Sequence, residues 1–100
     1  MNAAVSLPQD EIRSFCLRHR IRKLSLFGSI LTSRFRNDSD IDVLVEFEAG
    51  GAPGYFELAA MEEELSSRLG RKVDLRTPEE LSRYFREQVV ADAALQYERE

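Results

Sequence analysis

Apolar residues recur at two periods along this chain, every three or four positions in some stretches and every second position in others, and the switches between them predict its elements. Ile12, Phe15 and Cys16 fall at helical spacing in a segment that starts near Ser6 and Pro8 and continues to about Arg20. Residues 23–27 read as a short strand broken at Gly28, after which Ser29 is expected to cap a short helix through Phe35. Asn37-Asp38-Ser39 is turn chemistry, and residues 41–47 alternate as the clearest strand. A glycine-rich connection over residues 48–54 leads to a helix over 55–69, with Leu58, Met61, Leu65 and Leu69 at helical spacing and Gly70 as its stop. Residues 73–75 make a third strand. Thr77-Pro78-Glu79-Glu80 is a capping box with proline at the first helical position. One or two closing helices are expected from it, with Glu87 the place for a bend and Phe85, Val89, Ala93 and Tyr97 in one stripe. The class is α/β (α+β), and one domain over residues 1–100 is expected because no repeat or linker divides the chain.

Successive side chains of a strand point to opposite faces of its sheet. Leu24 and Leu26, then Ile41, Val43, Val45 and Phe47, then Val73 and Leu75 share the face that helices should cover. The other face receives Ser25 and Phe27, then Asp40, Asp42, Leu44 and Glu46, then Lys72, Asp74 and Arg76. If the three strands are neighbours, Asp40, Asp42 and Asp74 converge on the more open side of one sheet.

A net charge of −4 provides no broad basic field for a nucleic-acid backbone, so long DNA or RNA is not the expected partner. No apolar run approaches the roughly 20 residues of a membrane span, and the first residues lack the basic and apolar regions of a leader. A cytoplasmic location is expected. The single cysteine, Cys16, reads as a buried structural thiol, since no activating constellation surrounds it. His19, the only histidine, lies between Arg18 and Arg20 at a helix end and reads as a surface residue rather than a metal ligand. Arg18, Arg20, Arg22 and Lys23 read as a solvated helix end. The segment over residues 50–54 has two readings, a lid over a nucleotide or an ordinary loop, and it lacks the lysine and Ser/Thr of a P-loop.

The candidate chemistry lies in Leu26-Phe27-Gly28-Ser29, then ten residues, then Asp40-Ile41-Asp42, and a lone aspartate in Lys72-Val73-Asp74-Leu75. Gly28 lets backbone approach a phosphate without a Cβ in the way, and Ser29 with the free amides of the following turn supplies donors. Asp40 and Asp42, two residues apart on a strand, project the same way and can share two magnesium ions, which accept oxygen ligands and keep sites for water and phosphate. Asp74, from another strand, is placed to ligate the catalytic metal and to help deprotonate an acceptor hydroxyl. Each part alone is common; the ordered set is what nucleotidyl transfer needs.

Leu26-Phe27-Gly28-Ser29 through Ser39-Asp40-Ile41-Asp42-Val43-Leu44-Val45 resembles the signature of the DNA polymerase beta nucleotidyltransferase superfamily, and the short length resembles its minimal nucleotidyltransferase (MNT) members. The similarity extends through Lys72-Val73-Asp74-Leu75-Arg76-Thr77-Pro78-Glu79 to the closing segment. This resemblance implies a nucleotidyltransferase fold with a small mixed β-sheet flanked by helices, ATP or another triphosphate as donor, and two Mg2+ ions on Asp40, Asp42 and Asp74. It also implies a partner, because many small members are antitoxins to a HEPN-family ribonuclease toxin and some transfer AMP to its tyrosine. Relatives commonly carry Arg-Gly where this chain has Thr32-Ser33, with Arg34 and Arg36 the nearest cations.

Size selects among acceptors. Little chain remains after one core is built, so the acceptor is expected to arrive on a partner protein. The leading expectation is therefore a magnesium-dependent antitoxin that adds AMP to a HEPN toxin. Its rivals are a non-catalytic antitoxin that neutralises by binding, and a nucleotidyltransferase acting on a small-molecule hydroxyl.

Overall fold

The strand predicted over residues 41–47 forms as one of the two inner strands of the sheet. In the computed structural model, which describes residues 7–34, 36, 39–51 and 53–99, the chain runs α1 (Gln9–Arg18), β1 (Ile21–Phe27), β2 (Ile41–Phe47), α2 (Tyr55–Leu69), β3 (Val73–Arg76), α3 (Arg86–Asp92) and β4 (Ala94–Glu98). Single 3-10 turns lie at Gly28–Leu31 and Pro78–Glu80. The strand order is β3-β2-β1-β4. β1 is antiparallel to both β2 and β4, whereas β2 and β3 are parallel. Parallel neighbours need a crossover rather than a hairpin, and α2 provides it. The result is the expected mixed sheet with helices.

The apolar alternation behaves as predicted on one face. Leu24, Leu26, Val43, Val45, Val73 and Leu75 form one buried cluster with Ile12, Phe15 and Cys16 of α1 and Met61 and Leu65 of α2. Truncating fully buried Phe15 to alanine would cost about 3–5 kcal/mol. Cys16 is buried here, and burial pushes its thiol up to about 12, so it stays protonated and inert as expected. Gly70 ends α2 in the left-handed region at φ 68°. The opposite face is less open than alternation suggests, because Ser25 and Leu44 are also buried.

Two expectations are corrected. Ser29 does not cap a helix: Phe27 is the N-cap, no side-chain capping bond forms, and the helix is one 3-10 turn. Thr32 closes it, since both its N–H (2.9 Å) and its hydroxyl (2.8 Å) donate to the Ser29 carbonyl. The expected end at Phe35 and the turn at Asn37-Asp38 lie outside the described residues.

The all-helical closing segment is the second correction. The Thr77 box forms, with the Thr77 N–H donating to Glu80 Oε1 at 2.9 Å, but its turn stops at Leu81. The Arg86 guanidinium then occupies the Pro78 (2.7 Å) and Leu81 (3.2 Å) carbonyls, acceptors that a continuing helix would use. α3 lasts only seven residues, and β4 pairs Leu24 with Tyr97 and Leu26 with Ala94. Phe85 is 65% exposed, so the predicted Phe85, Val89, Ala93 and Tyr97 stripe is not a helix face.

His19 is a fastener between helices. Its Nε2 lies 3.0 Å from Glu64 Oε1 on α2, its ring packs 4.7 Å from that of Phe15, and Arg18 donates to the other Glu64 oxygen. Among the described residues no helix is long and apolar enough to cross a membrane.

Candidate functional site

The register across the sheet aligns Phe27 with Asp42 and Asp42 with Asp74. One row perpendicular to the strands therefore carries the residue before Gly28, the second aspartate of the pair and the lone third aspartate. Asp40 lies two residues before Asp42, just ahead of β2. The carboxylates that the sequence singled out thus share one end of one sheet face.

Gly28 faces this row directly. It has φ +80°, a left-handed conformation, and a Cβ built on it would lie 2.2 Å from Asp42 Oδ2. Only glycine fits there without displacing the carboxylate. Ser29 follows in the 3-10 turn, where the leading amides have no partner inside the turn.

Burial first, then the charges of Asp74 and Asp40, push the Asp42 carboxyl above its ordinary value, while Arg76 pulls the other way. Like charges thus meet at Asp42, which a cation would relieve. Lys72 Nζ lies 3.8 Å from Asp40 Oδ2, and an Arg76 guanidinium nitrogen lies 3.9 Å from Asp74 Oδ1. These are long, solvent-exposed pairs of small worth. Among the described residues no three His, Cys, Asp or Glu side chains are already gathered as a metal cage. The donor set nonetheless suits a hard divalent ion, offering oxygen ligands from adjacent strands in register and a repulsion that such an ion would neutralise.

Sequence reasoning missed what holds β3, and hence Asp74, in place. The Val73 N–H donates to Ser66 Oγ at 2.9 Å and the Leu75 N–H to Glu62 Oε2 at 2.7 Å, so two side chains of α2 satisfy the strand edge on either side of Asp74. The only sequence signal was a pair of polar residues four apart, flanking buried Met61 and Leu65.

Of the segment over residues 50–54, the described residues do not line the cleft beside Gly28. The Glu48 N–H donates to the Arg20 carbonyl and Gly51 lies against the Arg20 side chain. Arg20 precedes β1 and Gly28 follows it, and seven residues of strand separate the two by about 23 Å. Gly51 therefore lies at the far end of β1 from Gly28. Of the basic cluster, Arg18 is paired with Glu64 and Arg22 with Glu46.

Residues 10–96 match the family described as nucleotidyltransferase domain. Over 60 residues the chain is 37% identical to a candidate protein adenylyltransferase of Methanocaldococcus jannaschii, a match covering 60% of each chain. It is 34% identical over 77 residues to the protein adenylyltransferase MntA of Thermococcus cleftensis, covering 69% of this chain and 76% of MntA. Among solved structures, a toxin–antitoxin with AMP-PNP superposes with a TM-score of 0.75 at 22% identity, covering 94% of this chain and 76% of the other. The MNT antitoxin complexed with a tri-AMPylated Shewanella oneidensis HEPN toxin superposes with a TM-score of 0.66 at 20% identity, covering 91% and 70%. At those identities the two structures speak to the fold.

Proposed function

This chain belongs to the nucleotidyltransferase domain family, and we propose that it is a magnesium-dependent antitoxin that transfers AMP from ATP to a tyrosine hydroxyl of a cognate HEPN ribonuclease toxin. The observation that carries the reading is the in-register opposition of Asp42 and Asp74 beneath the Cβ-free face of Gly28. Support for a protein acceptor and a toxin partner comes from the similarity to a protein adenylyltransferase and to toxin–antitoxin complexes.

In this reading Asp40 and Asp42 hold magnesium, joined by Asp74. The metal, when bound, neutralises phosphate oxygens and acidifies the acceptor hydroxyl. Gly28 and Ser29 receive the phosphates through backbone amides and the Ser29 hydroxyl. The acceptor oxygen forms a bond to the α-phosphorus as the bond from that phosphorus to the bridging oxygen breaks. Pyrophosphate leaves with the bonding electrons, and Asp74 accepts the hydroxyl proton before releasing it to solvent.

The test is transfer itself. Purified protein with magnesium and ATP labelled at the α-phosphate should label the partner toxin, and the toxin should stay inactive after this protein is removed, because the new linkage is covalent. Protection by an Asp40→Asn, Asp42→Asn variant, with no label transferred from any of the four triphosphates, would replace this reading with neutralisation by binding alone.

A further inference from the structure

A cleft of about 880 Å3 opens beside the Gly28–Leu31 turn, within the roughly 300–1,000 Å3 typical of small-molecule sites. Phe27, Leu31, Val89 and Ala94 give it apolar walls, and Gln88 and Asp92 of α3 add polar groups to its lining. Gly28 belongs to this cleft and also abuts the Asp42 carboxylate. The cleft therefore begins where the carboxylate row ends, with the phosphate-receiving turn as their common wall. A triphosphate seated on that turn has its nucleoside directed to one side or the other of it, and this is a side with apolar surface to take the face of a base.

We propose that this cleft holds the nucleoside of the donor, and that the Gln88 amide, oriented by Asp92, selects adenine over guanine. The proposal rests on the donor-site reading above and adds where the nucleoside sits and which residue makes the site prefer adenine. Gln88 Nε2 donates to Asp92 Oδ2 at 2.8 Å. A carboxylate only accepts, so this bond fixes which end of the amide faces Asp92 and forbids the flip that would exchange oxygen and nitrogen. One N–H and the carbonyl oxygen of Gln88 remain for a ligand. Such an adjacent donor and acceptor pair with the N7 acceptor and N6 amine of adenine. Guanine would set its O6 acceptor against the Gln88 carbonyl, leaving two acceptors facing each other without a proton. Gln88 is thereby a specificity-determining residue and Asp92 a positioning residue. The mechanism uses neither for chemistry.

The experiment titrates the full-length protein, in magnesium, with ATP, GTP and inorganic tripolyphosphate by calorimetry. Wild type should bind ATP about tenfold more tightly than GTP, the discrimination typical of one paired amide contact, and both nucleotides more tightly than tripolyphosphate. Gln88→Ala should bring ATP to within about twofold of GTP and leave tripolyphosphate unchanged. Asp92→Asn, whose amide no longer fixes the orientation, should lower the ATP-to-GTP ratio while GTP affinity holds, a split that a merely structural role would not give. Val89→Trp, which fills the apolar wall, should weaken both nucleotides and spare tripolyphosphate. Gln88 and Asp92 are exposed, so their variants should fold like wild type. Tripolyphosphate binding together with an ATP-to-GTP ratio unchanged in Gln88→Ala would overturn this inference and leave the donor site standing. Failure of wild type to bind either ATP or tripolyphosphate would overturn both.

Discussion

Replacing Gly28 by alanine isolates the contact on which the site depends. Two penalties are expected at that position. A left-handed φ costs a non-glycine residue about 1–2 kcal/mol, which in a chain of this size lowers the melting temperature by about 4–16 °C. The added Cβ, 2.2 Å from Asp42 Oδ2, must also push that carboxylate out of the row. Gly50 separates the two effects, because it has φ +76° with nothing within 4 Å of its Cβ position. Gly50→Ala should therefore lose stability to a similar degree while its response to magnesium and ATP is unchanged. At a ligand concentration about 100 times the dissociation constant, wild type gains about 2.7 kcal/mol, a rise on the order of 10–20 °C. If moving Asp42 weakens affinity about 100-fold, the same concentration yields about 0.4 kcal/mol in Gly28→Ala, a rise of about 2–3 °C. Differential scanning fluorimetry of the three proteins, with and without magnesium and ATP, reads both quantities. An equal ligand-induced rise in Gly28→Ala and Gly50→Ala would refute the claim that Gly28 is needed to seat Asp42.

Other outcomes follow from the same geometry. Asp40→Asn with Asp42→Asn should remove the magnesium–ATP stabilisation yet leave the apo protein folded with an unchanged circular dichroism spectrum, since removing like charges costs the fold little. Asp74→Asn should cut AMP transfer about 100-fold, or about 2.7 kcal/mol of barrier, while nucleotide affinity falls far less; equal losses of rate and affinity would make it an ordinary donor-site ligand. Hydrogen bonds from Arg18 and His19 hold the Glu64 carboxyl down at about 2 from an ordinary 4.5. The stability Glu64 contributes is therefore present above about pH 4.5 and lost as pH falls toward about 2. Solvent screening of this partly exposed network keeps that contribution near 1 kcal/mol, so Glu64→Gln should lower the neutral-pH melting temperature by about 4–8 °C and flatten the acid limb of the stability curve.

The parts of this molecule legible in its sequence are those where local chemistry and burial agree. β2 and α2 have the predicted bounds because each presents an uninterrupted apolar period to the same core, and Gly70 closes α2 through its own left-handed geometry. The carboxylate row was legible for a related reason. A period of two fixes which face each aspartate takes, and the motif spacing fixes which strands are involved. The register that puts Asp42 beside Asp74 was not legible, because it depends on the α2 crossover and on Glu62 and Ser66 binding the β3 edge.

The closing segment was misread because two periods fit it. Phe85, Val89, Ala93 and Tyr97 satisfy a helical period, while Ala94-Leu95-Gln96-Tyr97-Glu98 is equally a plausible edge strand. The tie is broken by contacts far away in sequence. β1 needs a partner for its outer edge, and Arg86 removes the carbonyls through which a helix would have continued. That tertiary choice has a consequence for the site. A continuous helix from Pro78 would have run past the sheet, whereas the break brings Gln88, Val89, Asp92 and Ala94 alongside Gly28 and makes the cleft. Arg34 lines the same cleft, two residues after the Thr32 that closes the turn. Where relatives commonly carry an arginine this chain has Thr32, and the cation lining the cleft beside the turn is Arg34.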